Sequence, residues 1–166
     1  MMADMKSINY DLRYDGATAA QVYAMLGEQE FREQVCDFQG VVRKTVTVDP
    51  DGSGMRVSID QVQAAQGIPS FAKKFVGDEI NIVQQESWAS PTAATVDVTI
   101  PGKPGEMHGT VRITEDATGA TETVRMDVKV GIPLVGGKIE GLVAEMLTKA
   151  LRAENHVGRQ WLAEQG

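Results

Sequence analysis

The sequence predicts an α+β fold: a seven-stranded, mainly antiparallel sheet followed by one long C-terminal helix, in the order β-α-α-β6-α. Three observations predict it. The N-terminal "KSINYDLRYD" alternates apolar and polar residues. From Gly40 onward the hydrophobic period is two, kept by six further segments with short turns between them. After Leu134 the apolar spacing turns helical and stays so to Glu164.

In "KSINYDLRYD", Ile8, Tyr10, Leu12 and Tyr14 share one face, while Ser7, Asn9, Asp11 and Arg13 share the other, as in a half-buried strand. Gly16 ends it, and "TAAQVYAML" opens a helix with Thr18 as N-cap. Gly27 interrupts; "EQEFREQVCDF" is a second short helix with Phe31, Val35 and Phe38 on one side. "GVVRKTVTVD" and "MRVSIDQVQAA" are strands around the turn "DPDGSG", with Met55, Val57 and Ile59 in phase. "QGIPSFAKKFVGD" is irregular, with room for a short helical turn that sets Phe71 and Phe75 four apart. "EINIVQQESWAS", "ATVDVTIP", "EMHGTVRITED" and "TETVRMDVKVGIP" are strands again, joined through "SPTA", "GKPG" and "DATGA". Links this short join antiparallel neighbours. The last segment carries Val135, Ile139, Leu142, Val143, Met146, Leu147, Ala150 and Leu151 on one broad stripe. Continuous to Glu164 it would span roughly 45 Å, with Gly158 expected to end it early and Trp161 and Leu162 anchoring the tail.

At 166 residues and 42% hydrophobic, the chain suits one globular domain. Its formal charge is -7, with 16 basic against 23 acidic residues, which argues against nucleic acid and against anionic membrane surfaces as partners. One cysteine, Cys36, excludes an internal disulfide, and with only His108 and His156 beside it there is no usual Cys/His zinc site. No leader is visible in "MMADMKSINYDLRYD", and no run approaches the length of a membrane span, so no stable membrane insertion is expected. A cytoplasmic protein, monomeric or weakly dimeric and without a cofactor, is the expectation.

"VKVGIPLVGGKIEGLVAEML" (Val128 to Leu147) outlines a strand, a glycine-rich turn, a lysine and a helix, as a phosphate-binding loop does. That loop needs a glycine five places before Gly137, where Ile132 stands, and a hydroxyl residue where Ile139 stands. The stretch is a strand-to-helix junction. Pro133 stops the ladder, and Gly136 with Gly137 lets the chain pass close to the sheet. A helix N-terminus favours anions, so an acidic headgroup at this junction is one reading to test.

The element order, with "QQESW" (Gln84 to Trp88), Gly109-Thr110 and "VGIPLVGGKIE" (Val130 to Glu140), resembles the helix-grip fold of the START/Bet v 1-like (SRPBCC) superfamily. Within it the chain is similar to the DUF2505 family of actinobacteria, from about Met5 to Leu162. The resemblance implies a curved sheet gripping the long helix, with a cavity between them, and it brings no catalytic residues.

A ligand in such a cavity would meet the strand faces turned toward the helix. The expected lining is Tyr10, Leu12 and Tyr14; Val57 and Ile59; Ile82, Gln84, Glu86 and Trp88; Val98; Met107 and Val111; Met126 and Val128. The helix adds Ile139, Leu142, Val143 and Met146, and the segment bearing Phe71 and Phe75 is a candidate lid. Glu86 is the unusual member. A carboxylate on an inward face needs a partner, a water or a proton, so either it orients a ligand or the strand bulges and turns it outward. The expected function is binding or carriage of a hydrophobic small molecule, lipid or polyketide-like, without covalent chemistry. Two alternatives stand beside it. One is a cyclase- or aromatase-like enzyme, as related folds imply, with Glu86 and a tyrosine as its acid–base pair. The other is a structural or partner-binding domain whose cavity is filled by its own side chains.

Overall fold

The computed structural model describes residues 5–65 and 68–165. The elements run β1 (Met5–Asp15), α1 (Ala19–Leu26), α2 (Gln29–Phe38), β2 (Arg43–Asp51), β3 (Gly54–Ala64), α3 (Ser70–Val76), β4 (Glu79–Ser90), β5 (Ala93–Thr99), β6 (Glu106–Asp116), β7 (Gly119–Lys129) and α4 (Gly136–Gln165). The strands form one curved seven-stranded antiparallel sheet in the order β1-β7-β6-β5-β4-β3-β2. β1 and β2 are therefore opposite edges, and the chain crosses between them through α1 and α2. Those two helices roof one end of the sheet and meet α4 there.

Each strand sits where its alternation puts it. β5 and β7 bury every second residue: Ala94, Val96 and Val98 on one, Ala120, Glu122, Val124, Met126 and Val128 on the other. β1 pairs with β7 from Met5↔Lys129 to Asp15↔Gly119, which brings the first and last strands of the chain together beneath α4. Pro50, expected in a turn, lies inside β2 opposite Met55; an edge strand tolerates the missing N–H. Gly109 faces Met126 where backbones approach closely: a Cβ there would lie 1.9 Å from the Arg125 carbonyl oxygen.

The helices correct three expectations. Thr18 caps α1 through a full capping box with Gln21, as the sequence suggests. On α2, however, the buried residues are Phe31, Arg32 and Cys36, whereas Phe38 is exposed and lies against the His156 ring. The segment after β3 forms a true helix, α3, with Gln66 and Gly67 outside the described residues. Gly158 does not end α4, which runs on to Gln165. It is buried against Tyr14, and a Cβ there would sit 2.8 Å from the Tyr14 ring and hydroxyl. The glycine is a packing notch. Trp161 then anchors the last turn edge-on to Phe31, ring centroids 5.7 Å apart.

At the junction before α4, Leu134 takes a positive φ of 73° and is fully exposed. A Cβ on Gly136 would lie 2.4 Å from the Val130 carbonyl oxygen, so this glycine is required, whereas Gly137 faces open space. The Glu140 carboxylate folds back and accepts a hydrogen bond from Val130 N–H at 2.7 Å. A buried acid thus already stands close to the junction where the sequence suggested an anionic headgroup. Among the described residues no helix is long and apolar enough to cross a membrane.

Candidate functional site

The space between sheet and α4 divides along the helix. Beneath its N-terminal half lies an apolar cavity in two lobes. The outer lobe, about 50 Å³, is walled by Phe75 and Val76 of α3, Met107, Val128 and Ile139 among others, with Lys103 and Glu106 at its rim. The inner lobe, about 60 Å³, is walled by Ile82, Val98, Leu147 and Ala150, with Gln61, Gln63 and Gln84 as its polar groups. Ile100, Met107, Val143 and Met146 line both lobes and form the waist between them. A cleft between α2, β3 and α4, lined by Phe38, Gln63, Ile68, Leu142 and Met146, opens beside this waist. α3 closes the outer lobe, and Lys138 at the start of α4 lies 5.9 Å from the centre of the Phe71 ring.

Beneath the C-terminal half of α4 lies a buried polar network. Glu86 points inward. Arg32 of α2 grips its carboxylate with two hydrogen bonds, both 2.8 Å, and donates a third from Nε to the Leu26 carbonyl. Glu86 also accepts from the Trp88 indole at 2.8 Å and from the Gln84 amide at 2.6 Å. Burial alone would raise the Glu86 pKa, but the Arg32 charge and these donors outweigh it and hold the carboxyl below its ordinary range. Four hydrogen bonds leave little lone-pair capacity for another partner. Glu86 does not turn outward on a bulge, and the partner its inward carboxylate needs is Arg32, a counter-ion within the chain.

Of the residues expected to line a site, ten line a lobe: Phe75, Ile82, Gln84, Val98, Met107, Val128, Ile139, Leu142, Val143 and Met146. Tyr14, Leu12, Val57, Ile59, Trp88, Val111 and Met126 belong instead to the packed core away from the cavity. Tyr10 is half-buried against that core. Phe71 sits on α3 but faces Lys138 rather than a lobe. Gln61 and Gln63 were missed, though they continue the Met55, Val57, Ile59 phase of β3. Arg32 was missed as well, since its meaning depends on a partner 54 residues away.

Other chemistry is sparse. The Cys36 thiol is buried, which pushes its pKa up to about 11. His108 pairs with Asp97 on an exposed part of the sheet. Among the described residues no cluster of three or more His, Cys, Asp or Glu side chains is arranged to hold a metal ion.

The sequence matches the family described as "Protein of unknown function (DUF2505)" over residues 9–162. The Mycobacterium tuberculosis (strain ATCC 25618 / H37Rv) protein Rv0481c is 21% identical over 118 residues, covering 68% of this chain and 67% of that one. Among solved structures, the chain is similar to StfQ, a di-domain ARO/CYC from the steffimycin biosynthetic pathway. The TM-score is 0.69 at 11% identity, over 97% of this chain and 51% of StfQ. It is also similar to norcoclaurine synthase from Thalictrum flavum in complex with dopamine and hydroxybenzaldehyde. There the TM-score is 0.61 at 13% identity, over 98% of this chain and 88% of that one. At such identities the likeness establishes architecture alone, and the architecture is the helix-grip fold.

Proposed function

The chain belongs to the DUF2505 family, and from that premise we propose that it binds a neutral, mainly hydrophobic small molecule between the sheet and α4, without covalent change. The observation that carries this reading is the two-lobed apolar cavity whose inner polar groups are amides. Amides satisfy hydroxyls or carbonyls of a ligand without requiring charge, and apolar walls contribute about 25 cal/mol per Å² of ligand surface buried. Norcoclaurine synthase from Thalictrum flavum, in its complex with dopamine and hydroxybenzaldehyde, holds compact aromatics on the same architecture.

Size narrows the class. A single water needs roughly 10–15 Å³ of such space, so lobes of about 50 and 60 Å³ each accept a fragment of a few heavy atoms. A longer lipid or polyketide-like molecule has to join the lobes, and Met107 with Met146 at the waist can swing aside because methionine has three soft torsions. α3 is then the lid, with Phe71 latched to Lys138. Acid–base work by Glu86 fits the geometry poorly, because its carboxylate is saturated and held ionised.

Native mass spectrometry of the freshly purified protein tests this reading, with titration of the neutral fluorophore N-phenyl-1-naphthylamine alongside. We expect either a co-purifying small molecule or saturable fluorescence enhancement. A bare chain mass together with no saturable enhancement refutes the proposal and favours a self-filled interior.

A further inference from the structure

The polar network beneath α4 holds more acid than base. Three carboxyl groups lie buried there: Glu86 on β4, Glu122 on β7 and Glu154 on α4. They surround a single buried guanidinium, Arg32. Glu86 takes both terminal nitrogens of that group, and Leu26 takes the third. Glu154 is left at 3.9 Å from Arg32 Nη1, too far for a hydrogen bond. Glu122 is 97% buried, yet its Oε1 has no protein partner, and neither has the hydroxyl of Tyr14, which is 99% buried on β1. α1, the remaining helix over this region, carries no charged residue.

A lone buried carboxylate is expensive, and two sharing one committed counter-ion cannot both ionise near neutral pH. We propose that Glu122 and Glu154 form a buried proton-binding site which, when loaded, lets α4 seat against the sheet, and when emptied loosens that seat. The neighbours facing the pair are Arg32 from α2, Glu86 from β4 and Tyr14 from β1. Electrostatics agree with the geometry. Burial pushes the Glu154 carboxyl up to about 7, and burial with the Glu154 charge raises Glu122 well above its ordinary range, Arg32 opposing both. The two titrate as a pair rather than singly. Because both are raised acids, their contribution to stability is complete below the ordinary glutamate range and is lost as pH rises, through about 7 for Glu154 and through the raised range of Glu122. The site requires no ligand in the cavity, so it stands or falls independently of the proposed function.

The direct test is a carbon-detected NMR titration of the side-chain carboxyls in the wild-type full chain, which requires no variant to fold. Thermal unfolding at about pH 5.5 and about pH 8 accompanies it for wild type, Glu122→Gln and Glu154→Gln, at constant ionic strength. We expect at least one glutamate to titrate near or above neutral. We also expect wild type to lose roughly 5–10 °C of Tm across that range, and each glutamine variant to lose clearly less. The inference is overturned if every glutamate titrates in the ordinary acidic range, or if the three proteins share one pH slope. It is overturned equally if stability at the higher pH tracks which of sodium, potassium or lithium is present, since the site would then hold a metal cation instead of a proton.

Discussion

Arg32→Met is the substitution with the most to say about this fold. The side chain is 4% exposed and makes three hydrogen bonds of 2.8 Å, two to Glu86 and one to the Leu26 carbonyl. Methionine fills similar volume and supplies none of them, leaving Glu86 with only the Trp88 and Gln84 donors. Breaking one side of a buried ion pair costs about 3–5 kcal/mol. The orphaned Leu26 carbonyl lies within the same network, so its cost does not simply add. Against a total stability on the order of 5–15 kcal/mol, the variant is expected to fold but weakly. Urea unfolding near neutral pH should show its midpoint lowered by about 2 M, taking a slope of roughly 2 kcal/mol per M. Glu86→Gln should cost less, because Glu154 stands 3.9 Å from Arg32 and can serve as replacement counter-ion. Arg32→Met combined with Glu86→Leu removes both charges and should recover part of the loss, as apolar replacement of buried pairs often does. A cost below about 1 kcal/mol for Arg32→Met, or a double variant as unstable as the sum of the singles, would refute the view that the ion pair is the network's keystone.

Gly158→Ala should destabilise by about 1–3 kcal/mol in chemical denaturation, because its Cβ would meet the Tyr14 ring at 2.8 Å. Gly137→Ala, in open space on the same helix, should instead gain up to about 1 kcal/mol from helix propensity. On the acid side the sign reverses: Arg32 lowers the Glu86 pKa, so that stability is present above the ordinary glutamate range and is lost as pH falls through the depressed value. Acid unfolding followed by circular dichroism should therefore be shallower in Glu86→Gln than in wild type.

The fold was legible because each strand buries one face and the final helix one stripe, so period alone located them. The buried network was half legible. Glu122 stands in the inward phase of β7 with Ala120 and Val124, and Glu154 continues the stripe of Leu147 and Leu151 on α4. Charged residues on apolar phases in separate elements are a signal that they meet. Which one meets which depends on β1 and β2 lying at opposite edges, with α1 and α2 bridging them, and period carries no such information. Gly158 misled for a related reason: a helix-interior glycine reads as a breaker until the Tyr14 ring appears against it. In the candidate site, alternation found residues that point inward but could not say which half of α4 they would meet. Tyr14 and Trp88 went to the packed core, and Met107 and Val143 to the cavity.

That division of α4 bears on what the cavity can accept. Beneath the C-terminal half of the helix lie Arg32, Glu86, Glu122 and Glu154, while the lobes beneath the other half are walled mainly by Ile, Val, Met and Phe side chains. Gln84 is the contact between them, lining the inner lobe while its amide nitrogen donates to Glu86 at 2.6 Å. With one amide hydrogen committed to that carboxylate, the side chain keeps its second N–H and its carbonyl oxygen, a donor and an acceptor, for a neutral ligand group. On the proposed function a ligand hydroxyl or carbonyl would fit that position, whereas a ligand carboxylate would be brought beside the already buried Glu86 and be repelled. On that reading the Arg32–Glu86 pair acts at one remove, holding a neutral side chain, Gln84, that would meet the ligand in its place.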